Sequence, residues 1–499
     1  KIKPAITYLK PISSAISIGT GGPFGAEGPI IATGGALGST LGQLLRITDN
    51  ERKILLAAGA TAGMAAIFGS PVAAIFLAIE LLLFEFSPRS FIPVALACIT
   101  GAAGHHFLFD AGVVFPIETI IQQPTNTALF WYSIVGVITG VLAVLATKIV
   151  YWIEDGFEKL PIHWAWWPAI GGVAVGVIGY FAPRTMGVGY DNIIDVLSGT
   201  LSVQILLGLC LLKFASWAIA LGSGTSGGTL APLLTIGGAA GALMGGQIIQ
   251  WIPNAGVVVP LAALVGMSAM FAGASRAFLT SIVFALETTG QFHALLPLLA
   301  ACTAAYFISY FIMENTIMTE KMARRGVSTP LSYEPDVLEK IKVEQVFDDR
   351  GIIIGEENTV QEVRQWLSEE KEPKPRYFII SDKLGEYKGN ISASELLNQY
   401  QKPETPVGNL ATNSSAYIKT NDTLRKSVEI MAKENLEILP VISDKTNEII
   451  GVLSYREIIA TYNCGSNEHL KRNPNVSLKR QGLKIVLRGK KLSSFLRGK

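Results

Sequence analysis

The chain has 499 residues, 49% of them hydrophobic and only 16% charged, with a mean hydropathy of +0.40. That excludes an ordinary soluble enzyme of this size and points to a membrane protein. The net charge of +2 gives no sign of a nucleic-acid partner, and none is expected. Residues 54–320 are poor in Lys and Arg, whereas 321–499 are rich in both signs of charge. Cys98, Cys210, Cys302 and Cys464 are scattered without metal-ligand spacing, so neither a disulfide framework nor a metal site is expected.

Residues 5–20 form a short apolar stretch, and further helices are expected before Lys1. Next comes Gly25-Ala26-Glu27-Gly28-Pro29, one acidic residue among glycines at the start of a small-residue apolar helix, about 28–45. Glycine lets backbone N–H groups turn toward a ligand, and a helix start adds positive potential. That is an anion seat, with Glu27 hanging its own anion in it. After a polar connector, segments 54–68, 71–86 and 90–109 are apolar but broken at Gly69-Ser70-Pro71 and Ser87-Pro88. Several fall short of the roughly 20 residues a straight span needs, as helices lining a site inside a membrane protein do. Longer helices are expected at about 129–154, 165–182 and 201–221, with Trp164, Trp166 and Trp167 at a headgroup boundary and Lys213 snorkelling to an interface.

The second half repeats the first. Gly228-Thr229-Leu230-Ala231-Pro232 follows Gly25–Pro29 at an offset of 203 residues, with Leu230 in place of Glu27. Gly59–Glu80 aligns without a gap on Gly266–Glu287, at an offset of 207. Two homologous apolar halves are a transporter signature, often with the halves inverted. Glu80 and Glu287 fall at equivalent places inside apolar helices, so a shared structural task is expected, such as accepting backbone N–H bonds. Arg324 and Arg325 after the last apolar segment suggest a cytoplasmic end. Beyond Gly326 the chain turns soluble in character. Tyr377–Lys383 resembles Leu439–Lys445, and Gly389–Glu395 resembles Gly451–Glu457, giving two copies of a strand–helix–strand–strand–helix module.

These motifs resemble a known family. Gly25-Ala26-Glu27-Gly28-Pro29 is similar to the G-[KR]-E-G-P motif of CLC chloride channels and chloride/proton antiporters, and Gly228–Pro232 to their G-x-F-x-P motif. Gly187-Val188-Gly189-Tyr190 resembles a further family segment, and the terminal pair resembles CBS domains. The resemblance implies a polytopic α-helical membrane protein with the inverted-repeat CLC fold, followed by a soluble α/β CBS pair. The expected divisions are a transport domain at 1–326, a linker at 327–338, CBS modules at 339–397 and 407–463, and a basic disordered tail at 464–499. It also implies a homodimer in the lipid of the cell membrane, not an enzyme, with the CBS pair in the cytoplasm. By the same resemblance, chloride is expected as the substrate, no cofactor is expected to be required, and an adenine nucleotide is suggested as ligand of the CBS pair.

By the match, Glu27 is the gate, and the anion is held around Gly25, Ala26, Gly28, Gly228, Thr229, Leu230, Ala231 and Met318. Ser392/Glu395 and Ser454/Glu457 resemble the S/T-x-x-D pattern that holds a nucleotide ribose, with Glu for Asp. Several positions depart from the family. Ala26 lacks the basic side chain, the pore-serine turn G-S-G-I-P would precede Lys1, and Met318 replaces the inner tyrosine. Many exchangers end the helix matching 71–83 in two glutamates, the second a proton relay. Here those positions are Glu80 and Leu81, and leucine carries no proton. The expected function is therefore Glu-gated chloride transport, channel-like or weakly proton-coupled. The alternatives are a chloride/proton antiporter with a water-borne inner path, a transporter of fluoride or nitrate, and, lowest, a CBS-based membrane sensor.

Overall fold

The computed structural model describes residues 2–45, 47–109, 112–117, 123–327, 338, 341–347, 353–369, 377–382, 387–398, 400–411, 416–444 and 449–462. The expected tail and nearly all of the expected linker lie outside the described residues. The chain forms two compact units, Lys1–Glu334 and Pro335–Lys499.

The first unit is helical. Its first half comprises α1 (Ile6–Gly19), α2 (Glu27–Leu44), α3 (Asp49–Phe68), α4 (Pro71–Leu77, continuing as a π turn over Ala78–Leu83) and α5 (Pro88–Leu108). The long α6 (Asn126–Glu158), α7 (Trp167–Phe181) and α8 (Tyr190–Ser198) lead to the second half. That half comprises α9 (Val203–Gly222), α10 (Leu230–Trp251), α11 (Val259–Ser275), α12 (Phe278–Thr289) and α13 (Leu295–Ile312), with α14 (Glu320–Arg324) closing the unit. Six described helical stretches are long and apolar enough to cross a membrane, among them α5, α6, α9 and α10.

The helix breaks have local causes. Thr48 and Glu51 form a capping box at α3, and Gly69 ends it in the left-handed region at φ 56°. Pro71 and Pro88 then sit in the first turns of α4 and α5, where a missing N–H costs no hydrogen bond.

The repeat is visible atom by atom. A Cβ on Gly34 would stand 2.1 Å from Gly59 O, and one on Gly59 would stand 2.3 Å from Gly34 O. Their equivalents, Gly237 and Gly266, approach in the same way, at 2.6 and 2.4 Å. Glycine is required here because the backbones of α2 and α3, and of α10 and α11, touch. The halves also cap one another. Glu80 accepts from the backbone N–H groups of Leu279 and Thr280, both at 2.9 Å, and from Thr280 Oγ1 at 2.7 Å. Glu287 accepts from the N–H groups of Val72 and Ala73, at 3.1 and 2.8 Å. Each carboxylate therefore closes the first turn of the other half's equivalent helix, with the reciprocity of a two-fold axis. This is the shared structural task expected of the pair.

Lys213 differs from expectation. Its side chain is fully buried, and Nζ donates to Gly187 O at 2.8 Å. An acceptor on the turn before α8 satisfies the ammonium inside the unit, so it does not reach an interface.

The second unit holds two three-stranded sheets. In one, β1 (Ile353–Gly355) runs parallel to β2 (Tyr377–Ser381), which pairs antiparallel with β3 (Tyr387–Ser392). In the other, β4 (Ile418–Lys419), β5 (Ile438–Ile442) and β6 (Ile449–Ser454) repeat that order. Both carry a register shift at the same place, Ile380/Ser381 and Val441/Ile442. Helices α15 (Val360–Glu369), α16 (Ala393–Leu396) and α17 (Leu424–Glu434) and a helix over 455–462 complete the copies. The copies exchange their leading segments. Val343 lies in the apolar core with Leu424 and Leu453, while Val407 lies in the core with Phe378 and Ile391.

Candidate functional site

The starts of α2 and α10 meet at one isolated antiparallel bridge. Gly228 N donates to Gly25 O at 3.0 Å, and Gly25 N to Gly228 O at 3.4 Å. Gly25 and Gly228 are repeat equivalents, so the two-fold axis relating the halves passes through this bridge. The two helix starts leave backbone N–H groups without intrahelical partners at one point.

Glu27 occupies that point. It is 1% exposed. Its Oε1 accepts from the Tyr190 hydroxyl at 2.7 Å. Its Oε2 lies against the bridge, where a Cβ on Gly25 would stand 1.8 Å from it and one on Gly228 3.0 Å. Any side chain at Gly25 would expel the carboxylate. The backbone N–H groups of Glu27 and Ala231 face the carboxylate. Oε2 nevertheless has no hydrogen bond of ordinary geometry. A carboxyl oxygen thus sits buried at two helix starts and is only partly satisfied. A diffusible anion can compete for such a place.

The other named residues fall in three groups. Gly25, Gly228 and Ala231 lie against the carboxylate, and Gly28 lies against Gly228, so close that a Cβ on Gly28 would stand 2.9 Å from Gly228 Cα. Ala26 and Thr229 are the residues that lead into α2 and α10. The Leu230 side chain is buried in the apolar core. Leu81 and Met318 pack, half-buried, against apolar cores. Glu80 does not turn toward the seat, because its carboxylate is held at the start of α12.

In the second unit Ser392 and Glu395 form the capping box of α16. At the helix over 455–462 the pattern is looser: Ser454 N–H donates to Glu457 at 2.8 Å, while Ser454 Oγ donates to Glu457 and accepts from Arg456 N–H at 3.2 Å. These carboxylates bond back to their own helix starts.

Sequence reasoning missed the role of Tyr190. It named the Gly187–Tyr190 segment but not the hydroxyl. The available signal was Gly189, whose φ of 79° turns the chain so that Tyr190 opens α8. The ring is held by Phe68 and Phe115, with both centroids 5.8 Å away.

Comparison with known proteins agrees with this geometry. The family described as "Voltage gated chloride channel" matches residues 1–310, more than half of the chain. The chain belongs to that family. The CBS domain matches residues 407–463. The "H(+)/Cl(-) exchange transporter ClcA" of Yersinia pestis bv. Antiqua (strain Angola) is 29% identical over 347 residues, covering 66% of this chain and 71% of that protein. A protein of the same name from Vibrio parahaemolyticus serotype O3:K6 (strain RIMD 2210633) is 29% identical over 316 residues, covering 62% and 67%. Among solved structures, a "slow cyanobacterial Cl-/H+ antiporter" aligns with TM-score 0.61 at 24% identity, covering 65% of this chain and 77% of that one. A "eukaryotic CLC transporter" aligns with TM-score 0.54 at 18% identity, covering 91% and 84%. The fold is therefore the CLC fold expected from the motifs. The protein is an integral membrane member of an anion-transport family. The relatives carry the name of exchangers, which favours the antiporter alternative over the channel-like reading.

Proposed function

We propose that the first unit exchanges chloride for protons across the membrane, with Glu27 as gate and proton carrier. The observation that carries this is the buried Glu27 carboxylate, seated on the Gly25–Gly228 bridge with one oxygen short of a partner. Ionised, it fills the seat. Protonated, it loses the attraction of the helix starts, swings out and yields to chloride. Backbone N–H groups around Gly25, Ala26, Gly28, Gly228, Thr229 and Ala231 then hold the anion, and Leu230 walls the seat. The naming of the relatives as H(+)/Cl(-) exchange transporters supports coupling.

The inner proton route is the distinctive part. Leu81 cannot relay a proton, and Glu80 is occupied by three donors. Protons would reach Glu27 along water, past Leu81 and Met318. Met318 offers no hydroxyl to an anion there. These two residues also favour the second reading, uncoupled chloride flow.

We place the protein in the cell membrane as a homodimer, with transport domain 1–326 and a cytoplasmic CBS pair at 339–397 and 407–463. An adenine nucleotide is at most a weak ligand of that pair, because Glu395 and Glu457 already serve as helix caps.

The test is a chloride gradient imposed on sealed proteoliposomes while internal pH is recorded. Uphill proton movement that stops in Glu27→Gln, and chloride flux that persists without pH dependence in Glu27→Ala, are the expected results. Proton-free chloride flux in the parent protein would establish the uncoupled reading instead.

A further inference from the structure

We infer that Tyr190 is a side-chain ligand of the transported anion, one that donates in turn to the Glu27 carboxylate and to the chloride that replaces it. The inference rests on the Glu27 gate proposed above and extends it to anion selection.

The geometry starts from the 2.7 Å bond between the Tyr190 hydroxyl and Glu27 Oε1. A carboxylate oxygen in this seat stands where an anion would stand. A donor aimed at one is therefore aimed at the other. Among the described residues, Glu27 is the one hydrogen-bond partner given to the hydroxyl. When the carboxylate swings out, the hydroxyl must donate to the incoming anion or remain unsatisfied among aromatic rings, which is unfavourable.

The hydroxyl cannot easily follow Glu27 outward. Phe68 and Phe115 flank the Tyr190 ring, each with its centroid 5.8 Å away. Phe284 packs edge-on against Phe68 at 4.8 Å and closes the cluster from α12. The turn before α8 is held at three points. Lys213 Nζ donates to Gly187 O at 2.8 Å, Gly187 N to Gly21 O at 3.2 Å, and Asn192 Nδ2 to Arg184 O at 2.8 Å. The gate moves while the hydroxyl stays.

The chemistry sets the preference. Backbone N–H groups alone hold weakly and strongly hydrated anions with little distinction. An added hydroxyl donor favours a small, strongly hydrated anion, which gains most from replacing lost water with a directed hydrogen bond. Tyr190 should therefore favour chloride over thiocyanate. It also steadies the closed gate, because it bonds the ionised form of Glu27.

The experiment separates the two roles. In Glu27→Ala the carboxylate no longer competes, so chloride affinity measured by calorimetry on the purified full chain reads the seat alone. Adding Tyr190→Phe should raise the chloride Kd about tenfold, the size of one hydrogen bond to a charged partner. It should change the thiocyanate Kd much less. In proteoliposomes, Tyr190→Phe alone should shift the chloride/thiocyanate permeability ratio toward thiocyanate. Equal chloride affinities with and without the hydroxyl, or an unchanged permeability ratio, would overturn the inference. Should Tyr190→Phe fail to purify as folded protein, 3-fluorotyrosine at position 190 must tighten chloride binding, since it is a stronger donor of nearly the same shape. No tightening would also overturn it. Absence of any Glu27-dependent flux in the parent protein would instead sink the gate on which the inference rests.

Discussion

Replacing Glu80 tests whether the reciprocal carboxylates are structural or carry protons. Glu80 is 7% exposed and accepts three hydrogen bonds at the start of α12. In Glu80→Ala the Thr280 hydroxyl can turn to another acceptor, but the N–H groups of Leu279 and Thr280 cannot. A buried, unmet donor at Thr280 costs about 1–3 kcal/mol and the part-buried one at Leu279 less, so the expected loss is roughly 1–4 kcal/mol. Glu80→Gln keeps one acceptor oxygen but aims an amide N–H₂ at a backbone donor, for an intermediate loss of about 1–3 kcal/mol. Thermal unfolding of the detergent-purified protein should follow the order parent, Gln, Ala. Proteoliposome flux should keep its chloride preference and its proton stoichiometry in Glu80→Gln. A Glu80→Ala protein that melts like the parent would refute the cap. So would a Glu80→Gln protein with parental melting and chloride flux but no proton movement, because Glu80 would then be the relay.

Three further outcomes follow from the same contacts. Gly34→Ala places a Cβ 2.1 Å from Gly59 O, and Gly237→Ala one 2.6 Å from Gly266 O, so each should lower the melting temperature and the yield of monodisperse protein, with Gly172→Ala, where no atom lies within 4 Å, as the silent control. Calorimetry of ATP against the full chain should show weak binding or none, and tight binding that survives Glu457→Ala would remove that residue from any ribose contact. The Thr420 hydroxyl and the Asn421 N–H hold the Asp444 carboxyl below the usual aspartate range. Its stabilising effect on the second unit is thus fully present above the ordinary aspartate pKa and is lost as pH falls through the lowered one. Asp444→Asn should flatten that part of the acid limb in hydrogen-exchange measurements over β4 and β5.

The helix breaks, the two halves and the place of Glu27 at a helix start were legible because each rests on local chemistry. Gly69, Pro71 and Pro88 punctuate helices wherever they occur. The offsets of 203 and 207 residues aligned glycines that later proved to be sites of backbone contact. Helix α8 was not legible, since its nine residues mix apolar and polar groups without the long apolar run of a span. Lys213 was misplaced for a related reason. An ammonium between apolar residues has the same sequence whether it reaches outward to lipid headgroups or inward to Gly187 O, and only the turn brought beneath it by the fold decides. The Tyr190–Glu27 bond joins residues 163 positions apart, a distance no periodicity reports. The helix starts at Ser392 and Ser454 show the converse, because the same Ser-x-x-Glu spacing serves a helix start or a ribose.

With Glu27 as the proposed gate, its place on the axis between the halves gives a reason for the two turns to diverge. The Gly25–Gly228 bridge gives both halves the same backbone at the point where the anion would sit. An acid in both copies would set two carboxylates across one seat, where they could not both ionise, and one would stay protonated. An acid in neither copy would leave the seat open to anions at any pH. Glu27 opposite Leu230 gives one titrating group at a site whose backbone is otherwise two-fold related. The apolar partner is buried in the core and holds its helix start in place. Tyr190 has the same one-sided character, since α8 lies between the halves in the chain and presents its hydroxyl to Glu27. In the proposed transport, a symmetric fold would supply the anion seat, and two side chains outside the symmetry, one acid and one hydroxyl, would decide what occupies it.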